Sequence, residues 1–280
     1  MRFARIGPPG DETPAVFDGT VWRDIGHLTR DLPGSDMSAT IATIRQHLER
    51  PGLPVLQPPG RFGPPIRPGK IVCVGLNYRD HARESGAQVP AEPVLFLKAA
   101  DTVVGPDDNV LIPRGSRKTD WEVELAVVIG QRAQYLPTVS AAESVIAGYT
   151  ISHDVSEREF QLERGGQWDK GKNAETFNPL GPWLVTRDEI ADPQDLRLSL
   201  WVNGVRRQYG TTADMVFSVF EIVHYISQFM VLHPGDVVNT GTPAGVALGH
   251  PEPRPYLRAG DVVEVEIEGL GRQRQQVMDS

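Results

Sequence analysis

The stretch TDWEVELAVVIG, residues 119–130, is an apolar run interrupted by two glutamates, Glu122 and Glu124. Successive side chains of a strand point to opposite faces, so both carboxylates share one face. That face continues through Ala126 and Val128, which indicates burial. Two buried like charges repel each other and lose their hydration. The stretch therefore predicts a core strand whose glutamates are neutralised by another group.

A second glutamate-rich stretch, DVVEVEIEG at residues 261–269, has a different pattern. Its glutamates, Glu264, Glu266 and Glu268, alternate strictly with apolar residues. Such alternation is typical of a strand with one buried face and one solvated face. We therefore expect these three carboxylates to face solvent.

A hard divalent cation is the expected neutraliser of Glu122 and Glu124, because Mg²⁺, Mn²⁺ and Ca²⁺ prefer carboxylate oxygens. Asp154 ends the next strongly apolar stretch, and neighbouring strands lie about 5 Å apart, so it is the candidate for a third ligand. The same aspartate could instead cap a helix over VSEREFQLE, residues 155–163. The residues alone leave both interpretations open.

The composition excludes several classes of protein. The chain has 280 residues, of which 40% are hydrophobic, which suits one large globular domain or a domain with a small appendage. A net charge of -8 without a basic run disfavours nucleic-acid and anionic-membrane partners. The single cysteine, Cys73, excludes a disulfide framework and is expected to be a core thiol. No signal-peptide or membrane-spanning pattern is visible, so we expect a cytoplasmic location.

The chain divides at a proline-rich stretch. Residues 1–50 show three short strand patterns and then a helical pattern over residues 37–50, and residues 51–69 hold seven prolines. We predict a small N-terminal α+β domain with its linker over residues 1–68 and a main domain over residues 69–280. The main domain has eight strand-like runs and a helix over about 214–230, which favours a β-rich mixed α+β fold.

Three further segments contain candidate chemistry. In GLNYRDHARESG (75–86), His81 and Glu84 would share one face of a helix. They would form either a general base with its orienting carboxylate or an ordinary surface pair. The glycines at 75 and 86 bracket the segment like the hinges of a movable flap. The polar loop GGQWDKGKNAETFNPLG (165–181) offers Lys170 and Lys172, which would hold an enolate or carboxylate beside a cation or would be ordinary solvated loop lysines. In NTGTPAGVALG (239–249), free backbone N–H groups would bind anionic oxygens or simply turn the chain.

The order of six motifs resembles the fumarylacetoacetate hydrolase family over about residues 70–275. The motifs are VGLNYRDHARE, DWEVELAVVIG, GYTISHDVSEREFQ, GQWDKGKNAETFNPLGPWLVT, NTGTPAGV and LRAGDVVEVEIEGLG. The first 68 residues resemble the small variable domain of many members. The resemblance implies a β-roll fold of the fumarylacetoacetate hydrolase type and a homodimer.

The resemblance also implies roles for individual residues. A Mg²⁺ or Mn²⁺ ion would be held by Glu122, Glu124 and Asp154, and a lid would carry His81 and Glu84. Substrate contacts would come from Arg158, Gln161, Lys172 and Thr242. The implied partner is a small 2-oxo acid. For a 2,4-dioxo acid, the histidine would deprotonate water, and cleavage of the C3–C4 bond would give pyruvate, or a substituted pyruvate, and a carboxylic acid, with Lys172 stabilising the enolate.

The resemblance does not select one reaction. The same enolate would serve decarboxylation of oxaloacetate, or isomerisation and hydration of unsaturated 2-oxo diacids. The RGGQWDKGKN loop is more similar to members acting on 2,4-diketo-3-deoxy sugar acids than to acylpyruvases. Asn173 and Ala244 stand where many members have serine and proline. A catalytically silent scaffold is the alternative outside enzymes, and the retention of all the candidate ligands argues against it.

Overall fold

The computed structural model describes residues 1–29, 31, 36–50, 52–56 and 60–280. Residue 51 and residues 57–59 of the predicted linker lie outside these ranges. The strands within the described ranges are β1 Arg2–Ile6, β2 Thr13–Phe17, β3 Trp22–Asp24, β4 Phe62–Gly63, β5 Ile71–Gly75, β6 Val94–Lys98, β7 Val103–Val104, β8 Val110–Ile112, β9 Thr119–Asp120, β10 Val123–Ile129, β11 Ile146–His153, β12 Ser156–Glu157, β13 Asn178–Thr186, β14 Arg197–Val202, β15 Val205–Thr211, β16 Val237–Asn239, β17 Val262–Ile267 and β18 Gly271–Asp279.

The helices are short and lie between these strands. They are α1 Met37–Leu48, α2 Arg79–Glu84, α3 Ala141–Val145, α4 Asp169–Lys172 and α5 Val219–Ser227, with a π-helical turn at Glu159–Glu163 and 3₁₀ turns at Ala100–Thr102, Arg187–Glu189, Thr212–Asp214 and Ala247–Gly249. None of the helices within the described ranges is long and apolar enough to cross a membrane.

Two sheets organise the fold, which is strand-rich and mixed as predicted. The larger sheet runs in the order β3-β2-β1-β13-β11-β10-β16-β5-β6, with β4 paired to β1 and β7 to β13. The smaller sheet runs in the order β15-β14-β17-β18-β8. In β17, Val263, Val265 and Ile267 are buried, while Glu264 and Glu266 lie on the opposite, more exposed face, so the predicted alternation is confirmed.

Strand β10 lies in the middle of the larger sheet and is buried on both faces. Leu125 and Val127 pack into the core between the two sheets. Ala126 and Val128 pack into a second core on the opposite face. A strand covered on both sides needs apolar residues throughout, which explains the nearly continuous apolar run.

The N-terminal segment shares its core with the predicted main domain. Strand β1 pairs antiparallel with β13, and its Phe3 lies opposite Leu184. Phe3 is fully buried in the same hydrophobic cluster as Ala126 and Ile44 of helix α1. The division at residue 68 stays a prediction, but the residues before it complete the sheet that carries β10.

Three local expectations differ from the structure. The helix expected over 214–230 begins only at Val219, because Ser218 and Glu221 form a reciprocal capping box. The stretch 155–163 forms strand β12 and a π-helical turn instead of a regular helix. The polar loop 165–181 contains the short helix α4 and the start of strand β13.

Replacing Phe3 by alanine tests the shared core. Phe3→Ala is expected to lower the free energy of unfolding by about 3–5 kcal/mol, because the cavity it leaves is enclosed by the sheet. The measurement is denaturant unfolding followed by tryptophan fluorescence. Phe229→Ala is the matched control, since Phe229 is 65% exposed and should change stability by less than about 0.5 kcal/mol. A loss below about 1 kcal/mol for Phe3→Ala would contradict the shared core.

Candidate metal centre and active site

The pairing of β10 with β11 brings three carboxylates together. The antiparallel register places Val123 opposite His153, and the backbone N–H of Asp154 donates to the carbonyl of Glu122 at 3.0 Å. Oxygen atoms of Glu122, Glu124 and Asp154 consequently lie within 4.8 Å of one another, and all three residues are buried. Asp154 therefore does not cap a helix. Glu122 had been expected inside the strand, but it lies just before the first residue of β10.

Two lysines and an arginine neutralise part of this acidic group. The Lys172 ammonium group lies 2.6 Å from Glu122 Oε2 and 2.9 Å from Asp154 Oδ2. Lys98, also buried, donates to Asp154. Arg158 donates to Glu122 Oε1 at 2.7 Å. Although burial alone would raise the pKa of Glu122, Lys172 and Arg158 lower it below its ordinary value.

Glu124 has a different environment from the other two carboxylates. Its Oε2 accepts a hydrogen bond from the backbone N–H of Gly241 at 2.8 Å. Burial and the neighbouring Asp154 and Glu122 raise the pKa of Glu124 well above its ordinary value. The Lys172 ammonium group bridges the other two carboxylates, as a cation at the centre of the triad would. The donor set fits a hard divalent cation, which would supply the positive charge that Glu124 needs.

Arg158 and Gln161 are brought together at the same site. The guanidinium group also donates to Asp120 Oδ2 at 2.8 Å and to Gln161 Oε1 at 3.0 Å. Although burial opposes it, Asp120 and Glu122 raise the pKa of Arg158 above its ordinary value. Arg158 therefore positions Glu122, while the amide nitrogen of Gln161 keeps donor capacity at the cavity.

The loop at residues 239–249 binds anionic oxygens, and they belong to the protein itself. Besides the bond from Gly241 to Glu124, the N–H of Gly245 donates to both oxygens of Glu84 at 3.1 and 3.0 Å. The N–H groups of Ala247 and Leu248 donate to Asp120 at 2.7 and 3.0 Å. This carboxylate-binding loop thus orients Glu124 of the triad together with Asp120 and Glu84 beside it.

His81 and Glu84 form the expected pair on helix α2. His81 Nδ1 lies 2.9 Å from Glu84 Oε1, and both residues are largely buried. When the Nδ1–H group of His81 donates the hydrogen bond to Glu84, the lone pair of Nε2 is left to accept a proton. A side chain at Gly75 would collide with the Trp168 ring, so close packing also requires a glycine at this position. Movement of the α2 segment stays a prediction.

A cavity of about 200 Å³ joins these groups. His81, Glu122, Glu124, Arg158, Gln161, Lys172 and Thr242 all line it. The hydroxyl of Thr242 is already engaged, since it accepts from Gln208 at 2.8 Å and donates to the carbonyl of Val123 at 2.9 Å. Lys172 reaches the cavity through helix α4, where Gly171 permits close packing against Gln161. Lys170 points elsewhere, toward the carbonyl of Arg164.

Two buried charged residues of the site, Lys98 and Asp120, were not identified from the sequence. Lys98 ends the apolar stretch PVLFLK, and a lysine at the end of a core strand was the available indication. Asp120 stands two residues before Glu122 and could have been included with the glutamates. Of the two departures from the family pattern, Asn173 donates to the carbonyl of Leu97 at 3.1 Å and so ties α4 to β6. Ala244 donates its N–H to Asp80, at 3.3 Å, which a proline could not do.

Thermal unfolding with and without Mn²⁺ tests the triad. We expect Mn²⁺ to raise the Tm of the wild-type protein by binding the folded state, and Glu124→Gln to remove most of this rise. Without metal, Glu124→Gln should be as stable as the wild type or more so, because an amide is neutral and is not repelled by Asp154 and Glu122. Glu268→Gln, on the exposed face of the smaller sheet, is the matched control. An undiminished Mn²⁺ effect in Glu124→Gln would exclude this carboxylate as a ligand.

Comparison with known proteins identifies the family. The family model described as "Fumarylacetoacetate (FAA) hydrolase C-terminal" matches residues 70–278. A protein of Burkholderia multivorans, whose name goes no further than hydrolase, is 50% identical over 279 residues and covers 98% of both chains.

Two solved structures are similar over the whole chain. The 2-hydroxyhepta-2,4-diene-1,7-dioate isomerase of Mycobacterium marinum is 33% identical with a TM-score of 0.75, and covers 100% of this chain and 99% of its own. The maleylpyruvate hydrolase of Sphingobium sp. SYK-6, solved with manganese(II) and pyruvate, is 29% identical with a TM-score of 0.80 and full coverage of both chains. The chain belongs to the fumarylacetoacetate hydrolase family.

Proposed function

We propose that this protein is a divalent-metal-dependent hydrolase that cleaves the C3–C4 bond of a 2,4-dioxo acid. The products would be pyruvate, or a substituted pyruvate, and a carboxylic acid. The observation that carries the proposal is that His81, Glu122, Glu124 and Lys172 line one cavity. Glu84 contacts His81 and Asp154 contacts Lys172 directly behind this lining. A base that activates water and a cationic group that stabilises an enolate are the two requirements of this reaction.

The first step uses the histidine pair. Glu84 holds Nδ1 of His81, so Nε2 takes a proton from water as the hydroxyl oxygen adds to C4 of the substrate. Glu84 is itself held by the N–H of Gly245, which fixes the orientation of the imidazole. Removal of either contact would leave the base free to rotate.

The second step uses Lys172. The C3–C4 bond breaks, its electron pair moves toward C3, and the negative charge is delocalised onto the 2-oxo oxygen as an enolate. The Lys172 ammonium group stabilises this charge, and the protonated His81 returns its proton to C3. One dioxo acid anion and one water thereby give two carboxylate anions and one proton.

The proposed cofactor is Mg²⁺ or Mn²⁺, held by Glu122, Glu124 and Asp154. When bound, such an ion supplies Lewis-acid polarisation of the 2-oxo acid end of the substrate. The manganese in the similar maleylpyruvate hydrolase supports a divalent cation here. The burial of all three carboxylates and their short mutual distances support the same ligand set.

A decarboxylase of oxaloacetate, or an isomerase or hydratase of unsaturated 2-oxo diacids, is the second candidate. The similarity to an isomerase over the whole chain favours it. All of these reactions need the enolate-stabilising groups of the site. The decarboxylation, unlike the hydrolysis, needs no attacking water. The His81–Glu84 pair therefore separates hydrolysis from decarboxylation.

Pyruvate release tests the proposal. An acylpyruvate, a 2,4-diketo-3-deoxy sugar acid and oxaloacetate are each supplied with Mg²⁺ and with EDTA. We expect EDTA to abolish all turnover, and His81→Ala to lower hydrolysis by about 10²–10⁴-fold while sparing decarboxylation. His47→Ala, an exposed histidine of α1, is the matched control. Absent turnover, or turnover indifferent to EDTA, would refute the metal-dependent mechanism.

We further propose that the protein works as a cytoplasmic homodimer on a small 2-oxo acid, without a nucleic-acid or membrane partner. The family resemblance supports the dimer, and the net charge of -8 supports a small-molecule substrate over a polyanion. Light scattering during size-exclusion chromatography is expected to give twice the chain mass of 30.8 kDa. A single-chain mass at micromolar concentration would contradict the dimer.

A further inference from the structure

The cavity has a second wall that the proposed chemistry does not use. Besides the charged groups, the lining includes the apolar residues Val74, Leu76, Phe96, Leu162, Trp168 and Leu248, which together form this apolar wall. Leu162 is 44% exposed and lies at the mouth, whereas Val74 is buried. The apolar wall therefore extends from the protein interior to the entrance.

Two aromatic rings connect this wall to the reacting groups. The Lys172 ammonium group lies 5.0 Å from the centre of the Phe96 ring. The rings of Phe96 and Trp168 meet edge to face, with centroids 5.7 Å apart. Because Lys172 is placed beside the enolate, the part of the substrate beyond the 2-oxo acid end would contact these rings.

The cations that line the cavity are already paired. Arg158 binds Asp120 and Glu122, and Lys172 binds Glu122 and Asp154. A carboxylate on the far end of a substrate would be desolvated against the apolar wall without a cationic partner, which is costly. The Gln161 amide, a neutral donor at the cavity, lies beside Arg158 among the charged groups. Hydroxyl groups placed against the apolar side chains would therefore lose their hydrogen bonds to water.

The size of the cavity limits the substrate further. Its volume of about 200 Å³ is below the roughly 300–1,000 Å³ of pockets that take drug-sized ligands. A dioxo acid with a short substituent is the largest ligand that we expect it to enclose.

We propose that the physiological substrate is a 2,4-dioxo acid whose C4 substituent is small and apolar, such as a short alkyl chain or a single ring. This inference rests on the proposed function and selects among its substrates. It runs against the sugar-acid preference suggested by the loop around Trp168, because that loop contributes an aromatic ring to the wall.

A matched pair of substrates tests the inference. 2,4-Dioxoheptanoate and 2,4-dioxoheptanedioate differ only in a terminal methyl or carboxylate group, and 5,6-dihydroxy-2,4-dioxoheptanoate adds hydroxyl groups. The expected kcat/KM for the apolar substrate exceeds that for the other two by about 10²-fold. An equal or higher value for the dioate or the dihydroxy compound overturns the inference and leaves the proposed hydrolysis intact.

Leu162→Arg provides a test from the side of the protein. An arginine at the cavity mouth is expected to raise kcat/KM for the dioate by about 10-fold or more and to lower it for 2,4-dioxoheptanoate. Phe229→Arg makes the same change of charge at an exposed position that does not line the cavity, and should alter neither value. An unchanged preference in Leu162→Arg would contradict the position assigned to the substituent.

A binding measurement distinguishes failure of the proposed hydrolysis from failure of the inference about the apolar substituent. Isothermal titration in the presence of Mn²⁺ measures the Kd of 2,4-dioxoheptanoate and of the dioate without requiring turnover. If neither compound is cleaved, the proposed hydrolysis fails, and tighter binding of the apolar compound still supports the apolar wall. Equal binding of both, or tighter binding of the dioate, overturns the inference whether or not cleavage occurs.

Discussion

The burial of four carboxylates at one end of a strand pair is the constraint on which the site depends. Among the described residues, the group joins Asp120, Glu122, Glu124 and Asp154 to three cations, Lys98, Arg158 and Lys172. With all four carboxylates ionised, the formal net charge of this group is one negative unit. A divalent cation would reverse its sign, and a substrate carboxylate would then neutralise it. Such a balance lets an anion enter a buried site at low electrostatic cost.

The fold satisfies this constraint through backbone register and packing on both faces of the sheet. A shift of one residue between β10 and β11 would turn Glu124 to the opposite face and separate the triad. The register is fixed because Leu125 and Ala126 face two different cores, and the second core includes Phe3 of the first strand. The N-terminal segment thus contributes to the geometry of a site that it does not touch.

The sequence predicted those features that local patterns encode. The apolar run around Glu122 and Glu124 predicted the core strand. Strand spacing made Asp154 a candidate third ligand, although a helix cap was an equally open interpretation, and the family resemblance favoured the ligand. The contact of Lys98 with Asp154 depends on tertiary packing and has no local pattern, so it was not predicted. Helix α4 is too short to show helical periodicity. The first residue of α5 could have been predicted from the sequence, since Ser218 and Glu221 have the spacing of a capping box.

The carboxylate-binding loop separates the control of chemistry from the control of substrate choice. Ala247 and Leu248 hold Asp120 through their backbone N–H groups, which any residue except proline supplies. Leu248 donates its N–H to Asp120 and at the same time presents its side chain to the cavity. A replacement at this position would reshape the cavity wall and leave the buried charges undisturbed. Divergence among relatives could therefore proceed along this loop, with new substrates acquired on an unchanged catalytic framework.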